Sequence, residues 1–341
     1  MRRVLVRRAT IRRVFVRWLV APLLVLVGLA LLAGQATVLY LGLGAAGTPS
    51  PAARSTGHDA LWLGHAWVDG RRTQADVDAL ADRLRSTGIR DLFVHTGPFS
   101  DDGSLDAGLR PRARWLTDAL HTALPGVRVQ AWLGAHPTED ELHLWEPAVR
   151  ARLVQSVTEV LDDGFDGIHY DFEPVRDGDP HLLAILRETR SVTRSRGALL
   201  SISASHIEPY PGPAAVLRTL RARTALWSAD YLREVALLVD QVALMSYDTA
   251  MPAEALYCGY MRHTTVRALE VVPPEVGLLI GVPAYPPEGI AHRSAENLTT
   301  AIRGVRLALG EQPPEREFGI SLYVDFTATE EDWAVYHRDW S

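Results

Sequence analysis

The sequence predicts an α/β protein, a single closed (β/α)8 TIM barrel over residues 59–341 preceded by an N-terminal transmembrane helix. Three observations predict it. From residue 60 onward, eight short β-type runs alternate with eight segments of helical periodicity, the pattern of a parallel sheet whose crossovers are helices. Eight such units over roughly 280 residues match the usual size of a closed barrel. No G-x-G-x-x-G loop follows the first strand, as an open dinucleotide-binding sheet would require. The fourth observation, an uncharged run near the N-terminus, sets the compartment.

Residues 1–17 form a basic N-terminus carrying Arg2, Arg3, Arg7, Arg8, Arg12, Arg13 and Arg17, and residues 18–46 contain no charge. A helix of ~20 residues crosses the ~30 Å hydrocarbon core, whereas a secretory h-region is only ~7–15 residues long. Length therefore points to an uncleaved signal anchor, and Ala33-Gly34-Gln35-Ala36 offers a cleavage site that would instead release a secreted protein. Seven arginines before the span and only Arg54 soon after it place the N-terminus in the cytoplasm and the barrel outside. Residues 47–58, with Pro49, Pro51 and several small residues, read as a flexible linker. A net charge of -6 argues against nucleic acid as a partner.

The strand candidates are 60–67, 90–95, 127–133, 167–172, 198–204, 241–246, 276–282 and 318–323. The first helix shows Val77, Leu80 and Leu84 at helical spacing behind Thr73 and Asp76, a capping-box start. Residues 144–161 repeat the pattern at Val149, Leu153, Val157 and Val160. Cys258 is the only cysteine, so neither an internal disulfide nor a cysteine-based zinc site is available, and a small buried residue is the simplest reading.

The fourth strand is the most informative segment. Alternation puts His169, Asp171 and Glu173 on one face and Ile168, Tyr170 and Phe172 on the other. The apolar set suits the outer helices, so the ionisable set points into the barrel, where charge is costly unless paired or used. Asp171 and Glu173 then fall at the C-terminal end of the strand, where sites of this fold are built. A structural polar network is the alternative. Two residues apart on one strand, the pair lies only ~6.6 Å apart and projects one way, so it cannot readily flank a substrate bond from both sides.

Asp166-Gly167-Ile168-His169-Tyr170-Asp171-Phe172-Glu173 resembles the D-G-x-D-x-D-x-E signature of family 18 glycoside hydrolases, of chitinase and endo-N-acetylglucosaminidase type. His169 departs from it, standing where that family has its first strand Asp. Met245-Ser246-Tyr247-Asp248 resembles the family's M-x-Y-D segment, and Gly281-Val282-Pro283-Ala284-Tyr285 its G-x-P-x-Y. Tyr323 stands where the family usually has a Trp that floors the sugar site. The resemblance implies Glu173 as general acid, Asp171 orienting the substrate's acetamido group and Tyr247 bonding its carbonyl oxygen. The attacking group would be the substrate's own N-acetyl oxygen, giving retaining, substrate-assisted hydrolysis of β-linked N-acetylhexosamine glycans without cofactor or metal. His169, Trp132, Asp248, Tyr285 and Tyr323 are the expected substrate-binding residues.

Other features leave other readings open. His65, His95, His136, His169 and His206 fall in or just after strands one to five, which suits a metal-dependent hydrolase, although no H-x-H or H-E-x-x-H spacing supports one. The departures at His169 and Tyr323 suit a glycan-binding barrel without turnover. A substrate lacking the N-acetyl group would need a carboxylate nucleophile such as Asp248 or Asp325. Trp62, Trp67, Trp132 and Trp145 could stack on sugar rings or simply pack, and Asn297-Leu298-Thr299 is a sequon only in a glycosylating pathway.

Overall fold

A computed structural model describes residues 24–220, 226–288 and 293–341; the basic stretch 1–17 and residues 18–23 of the expected span lie outside the described residues. Eight parallel strands close into one barrel in sequence order: β1 (Asp59–Leu63), β2 (Ile89–Pro98), β3 (Arg128–Ala135), β4 (Gly167–Phe172), β5 (Leu199–Ala204), β6 (Gln241–Leu244), β7 (Gly277–Pro283) and β8 (Phe318–Tyr323). The ring closes through Ala60 opposite Ser321 and Leu61 opposite Leu322. Around it lie α2 (Gln74–Leu84), α3 (Ala113–Ala123), α4 (Pro147–Leu161), α5 (Pro180–Ser195), α6 (Pro213–Thr219), α7 (Ala229–Ala236), α8 (Glu254–Val271), α9 (Leu298–Glu311) and α10 (Glu330–Asp339). Upstream, α1 (Leu24–Gly44) is a helix long and apolar enough to cross a membrane.

The two-residue period of the strands sorts the core into two layers. Leu61, Leu63, Ile168, Tyr170 and Phe172 face the helices, and the Tyr170 hydroxyl shares a 2.8 Å hydrogen bond with Thr189 on α5. Ala60, Trp62, Phe93, Trp132, Ala243 and Leu279 fill the lumen. Below them the barrel is plugged by polar groups: Gln130 donates to Asp91 and Gln241, and Arg128 grips the fully buried Asp91 carboxylate. A buried charge held this way is satisfied rather than orphaned, so the plug shuts the N-terminal end and leaves the C-terminal end for chemistry.

Helix starts follow local chemistry. The Thr73–Asp76 capping box forms at α2 as expected, and Asn297 caps α9 by accepting from the Thr300 amide at 2.9 Å. Strand one is shorter than the expected 60–67: it ends at Leu63, and 65–67 make a 3-10 turn instead. The reason lies at Gly64, whose amide donates to Asp325 at 2.7 Å and whose α-carbon abuts the Phe326 ring.

The segment 47–58 is not the free linker that its composition suggests. Arg303 donates to the carbonyls of Ala45 and Gly47, and Arg306 to those of Ser50 and Ala53, pinning it along α9. It ends at Asp59, which is fully buried and accepts from Ser55, Tyr336, Trp340 and the Ile320 amide. Asp59→Ala strands these donors without water. The expected cost is on the order of 3 kcal/mol, a fall in Tm of roughly 6–12 °C by calorimetry.

Candidate active site

Strand β4 delivers three side chains toward the axis, at three depths. Gly167 lets it do so: a Cβ there would come 2.7 Å from the Leu199 carbonyl, so only glycine permits the close approach of β5. Asp166 beside it is structural, accepting from the Val129 amide at 2.7 Å and from His121 at 2.8 Å. Half of the motif therefore builds the strand rather than the site.

His169 lies deepest. It is fully buried, stacked on Phe93 at 3.8 Å, and shares hydrogen bonds with Ser201 (2.7 Å) and Ser203 (2.9 Å). Burial pushes its pKa down to about 3, so it is neutral and forms no ion pair with Asp171. The substrate contact expected of His169 does not hold: the residue sits beneath the cleft, where an apolar ring layer and two hydroxyls suit an uncharged imidazole better than a carboxylate.

Asp171 is one step higher. Its Oδ2 accepts from Trp132 Nε1 at 2.8 Å, while Oδ1 is buried with no partner. Burial raises its pKa, against the opposing hydrogen bond from Trp132. An unpartnered buried carboxylate oxygen is expensive, and Asp171 lines two hollows. Glu173 opens onto the same cleft. The cleft wall strips away enough water to push its carboxyl up to about 7, helped by the charges of Asp171 and then Asp248.

The smaller hollow, about 90 Å³, is lined by Asp171, Glu173, His206, Met245, Tyr247, Asp248 and Tyr323. Tyr247 is buried, stacks on Tyr323 at 5.0 Å and 14°, and is held protonated by burial and the nearby acids, so its hydroxyl can only donate to an anion or carbonyl. Gly281 makes its place, since a Cβ there would meet the Tyr247 ring at 2.8 Å. Tyr285 donates to Asp248 at 2.7 Å. The larger hollow, about 380 Å³, runs over β2 and β3 and includes His95, Phe99, Asp101, Trp132, His136 and Glu141.

The structure thus brings together Glu173, Asp171, Tyr247, Trp132, Asp248, Tyr285 and Tyr323, and leaves His169 below them. Asp325, weighed as a nucleophile, instead accepts from Gly64 and Trp67 at 2.7 and 2.8 Å and lines neither hollow. The strand-end histidines go separate ways: His65 pairs with His95, His136 meets Glu141 at 3.0 Å and His206 bonds Tyr260. Among the described residues no group of three His, Cys, Asp or Glu side chains is arranged to hold a metal ion. Of the tryptophans, Trp62 and Trp67 are core, and Trp145 is exposed with His143 stacked on it. Sequence reasoning missed Ser203, Asp101 and Glu141, which carry no pattern of their own and are gathered only by closure of the ring.

No protein-family model matches the chain, and no curated protein does. Solved structures do match its fold. The spore cortex-lytic enzyme SleL of Bacillus megaterium QM B1551 aligns with a TM-score of 0.58 at 14% identity, over 86% of this chain and 76% of that one. The C-terminal domain of a putative chitinase from Desulfitobacterium hafniense DCB-2 gives 0.59 at 14% identity, over 83% and 99%. A chitinase from Chromobacterium violaceum ATCC 12472 gives 0.56 at 15% identity, over 82% and 98%. The fold implied by the motif resemblance is therefore the fold of chitinases and a cortex-lytic enzyme, and at these identities the likeness is one of fold.

Proposed function

We propose that the chain is a glycoside hydrolase acting on β-linked N-acetylhexosamine-containing glycans by retaining, substrate-assisted hydrolysis. The observation that carries the reading is the buried, unpartnered Oδ1 of Asp171 beside a Glu173 carboxyl raised to about 7. A ligand that donates one hydrogen bond and accepts one proton would complete such a pair. An N-acetylhexosamine glycoside offers both: its amide N–H meets Asp171, and its glycosidic oxygen takes the proton of Glu173. Tyr247 donates to the acetamido carbonyl, whose oxygen attacks the anomeric carbon as the leaving group departs. Water then opens the cyclic intermediate, with Glu173 now acting as base.

Two features of the site support this division of labour. Asp248 is turned toward Tyr285 and sits in a left-handed backbone conformation (φ 59°), which suits a positioning role. Around the acids Tyr323 stacks on Tyr247 and meets Trp132 edge-on, giving aromatic walls for a sugar ring. Matched oligomers with and without N-acetyl groups test the reading: the acetylated series is expected to be cleaved with retention and the deacetylated one left intact. Equal cleavage of both would replace the substrate-assisted route by a carboxylate nucleophile, and tight binding without product would make the barrel a lectin.

The helix α1 is read as a membrane anchor, with the basic N-terminus inside and the barrel outside the cell.

A further inference from the structure

The end of α1 does not leave the barrel alone. Leu41 is buried against α8 at Gly259, where any side chain would run into the Leu41 carbonyl. Tyr40 stacks on His263 at 4.0 Å and 17°, and Thr37 shares a short hydrogen bond with Tyr210. Gly44 fits against His263 with no room for a Cβ, and Arg262 donates to the carbonyls of Gly44 and Ala46. Below Gly44 the chain stays pinned by Arg303 and Arg306. Above Thr37 no described part of the barrel covers α1: nearly every residue from Leu24 to Ala36 is exposed.

Two consequences follow from length and from direction. The uncharged run ahead of Thr37, Trp18 to Ala36, is 19 residues long. That is about the ~20 apolar residues needed to cross the ~30 Å hydrocarbon core. A span made of that run ends where the seat begins. As for direction, Tyr40 and Gly44 lie on one flank of α1 and meet His263, while Gly42 on the other flank meets Leu256, two turns nearer the mouth of the barrel. A helix whose flanks meet α8 at two heights runs across α8. Since α8 runs back along the barrel wall, the barrel axis lies across the anchor.

We infer that the anchor seats the barrel directly on the outer face of the bilayer, with its cleft opening along the membrane surface, so that its substrate is glycan lying at the headgroup layer. The inference rests on α1 being a membrane span and on the glycosidase reading of the cleft. Glycan chains carried on lipid, or freshly laid down beside the membrane, fit that position; strands farther out than the barrel's own width do not.

The test uses the full-length chain in vesicles with headgroup-labelled acceptor lipids and a donor dye on the barrel. Inserting 20 Gly/Ser residues between Gly47 and Thr48 lies downstream of the seat, so energy transfer is expected to stay at the wild-type value. Adding Gly259→Leu to the insertion is expected to release the barrel and cut transfer severalfold. Tyr40→Ala with Thr37→Ala, which leaves α8 untouched, is the second route to release should Gly259→Leu disturb folding. A drop in transfer with the insertion alone would overturn the seat, and so would a chain that fails to remain with vesicles after carbonate washing. Cleavage is then followed on lipid-linked and soluble acetylated oligomers. Released variants are expected to lose at least tenfold on the lipid-linked substrate and nothing on the soluble one. Equal rates on both would overturn the substrate assignment. If neither is cleaved while transfer behaves as stated, the glycosidase reading fails and the seat stands.

Discussion

Glu173→Gln is expected to lower turnover of an acetylated oligomer by about 10²–10⁴-fold, the usual contribution of a general acid, with the fold unchanged by circular dichroism. Gln is the same size and keeps the contacts of the strand end, but it has no proton to give. A variant that keeps near wild-type turnover would remove Glu173 from the chemistry. The same substitution has a stability signature whose sign follows from the raised pKa. Folding lifts Glu173 from the ordinary carboxylate range to about 7. Below the ordinary range the group is protonated in both folded and unfolded chains and contributes nothing. Between there and about 7 the unfolded chain ionises first, so the wild type loses stability as pH rises, and the full penalty is present above 7. Glu173→Gln is free of that penalty. Its Tm should exceed the wild type's at pH 8 and match it at pH 4, a crossover that simple loss of a packing contact would not give.

How much of this was legible in the sequence differs from residue to residue. The barrel was, because eight short β-type runs alternate with helical segments, and β4 and β8 fall on their expected boundaries. The inward aim of Asp171 and Glu173 was legible for the same reason, since a two-residue period leaves no choice once Tyr170 and Phe172 pack outward. What failed depended on tertiary partners. Nothing local shows that Ser201 and Ser203 on the next strand would take both nitrogens of His169, and so a residue in the middle of a motif was expected to touch substrate when it lies under the site. Likewise, Pro, Gly and small residues over 47–58 signal a loop but say nothing of three arginines far along the chain, Arg262, Arg303 and Arg306, that pin it and the helix end before it. Composition reports what a segment prefers alone, and packing decides what it does.

Asp171→Asn separates electrostatics from hydrogen bonding at the site. Removing the charge takes away one of the causes that raise Glu173, so the acid should titrate below its present value of about 7. Because hydrolysis needs Glu173 protonated, the alkaline limb of the kcat/KM profile must move to lower pH. No neighbour restores the lost field: His169 is neutral, with its pKa near 3, and Trp132 only donates. The second effect is independent of pH. The Oδ1 atom that has no protein partner is the acceptor proposed for the substrate's amide N–H, and replacing a charged acceptor by an amide forfeits a charge-assisted bond worth about 1.5–3 kcal/mol, a loss of roughly 10- to 150-fold even at the best pH. The two effects divide by pH. The drop persists on the acid side of the profile, where Glu173 is protonated in both forms, whereas the limb shift appears only on the alkaline side. If the limb stays where it is in the wild type, Asp171 does not tune the acid, and burial with the charge of Asp248 holds Glu173 protonated; the hydrogen-bonding role would then be all that is left to Asp171.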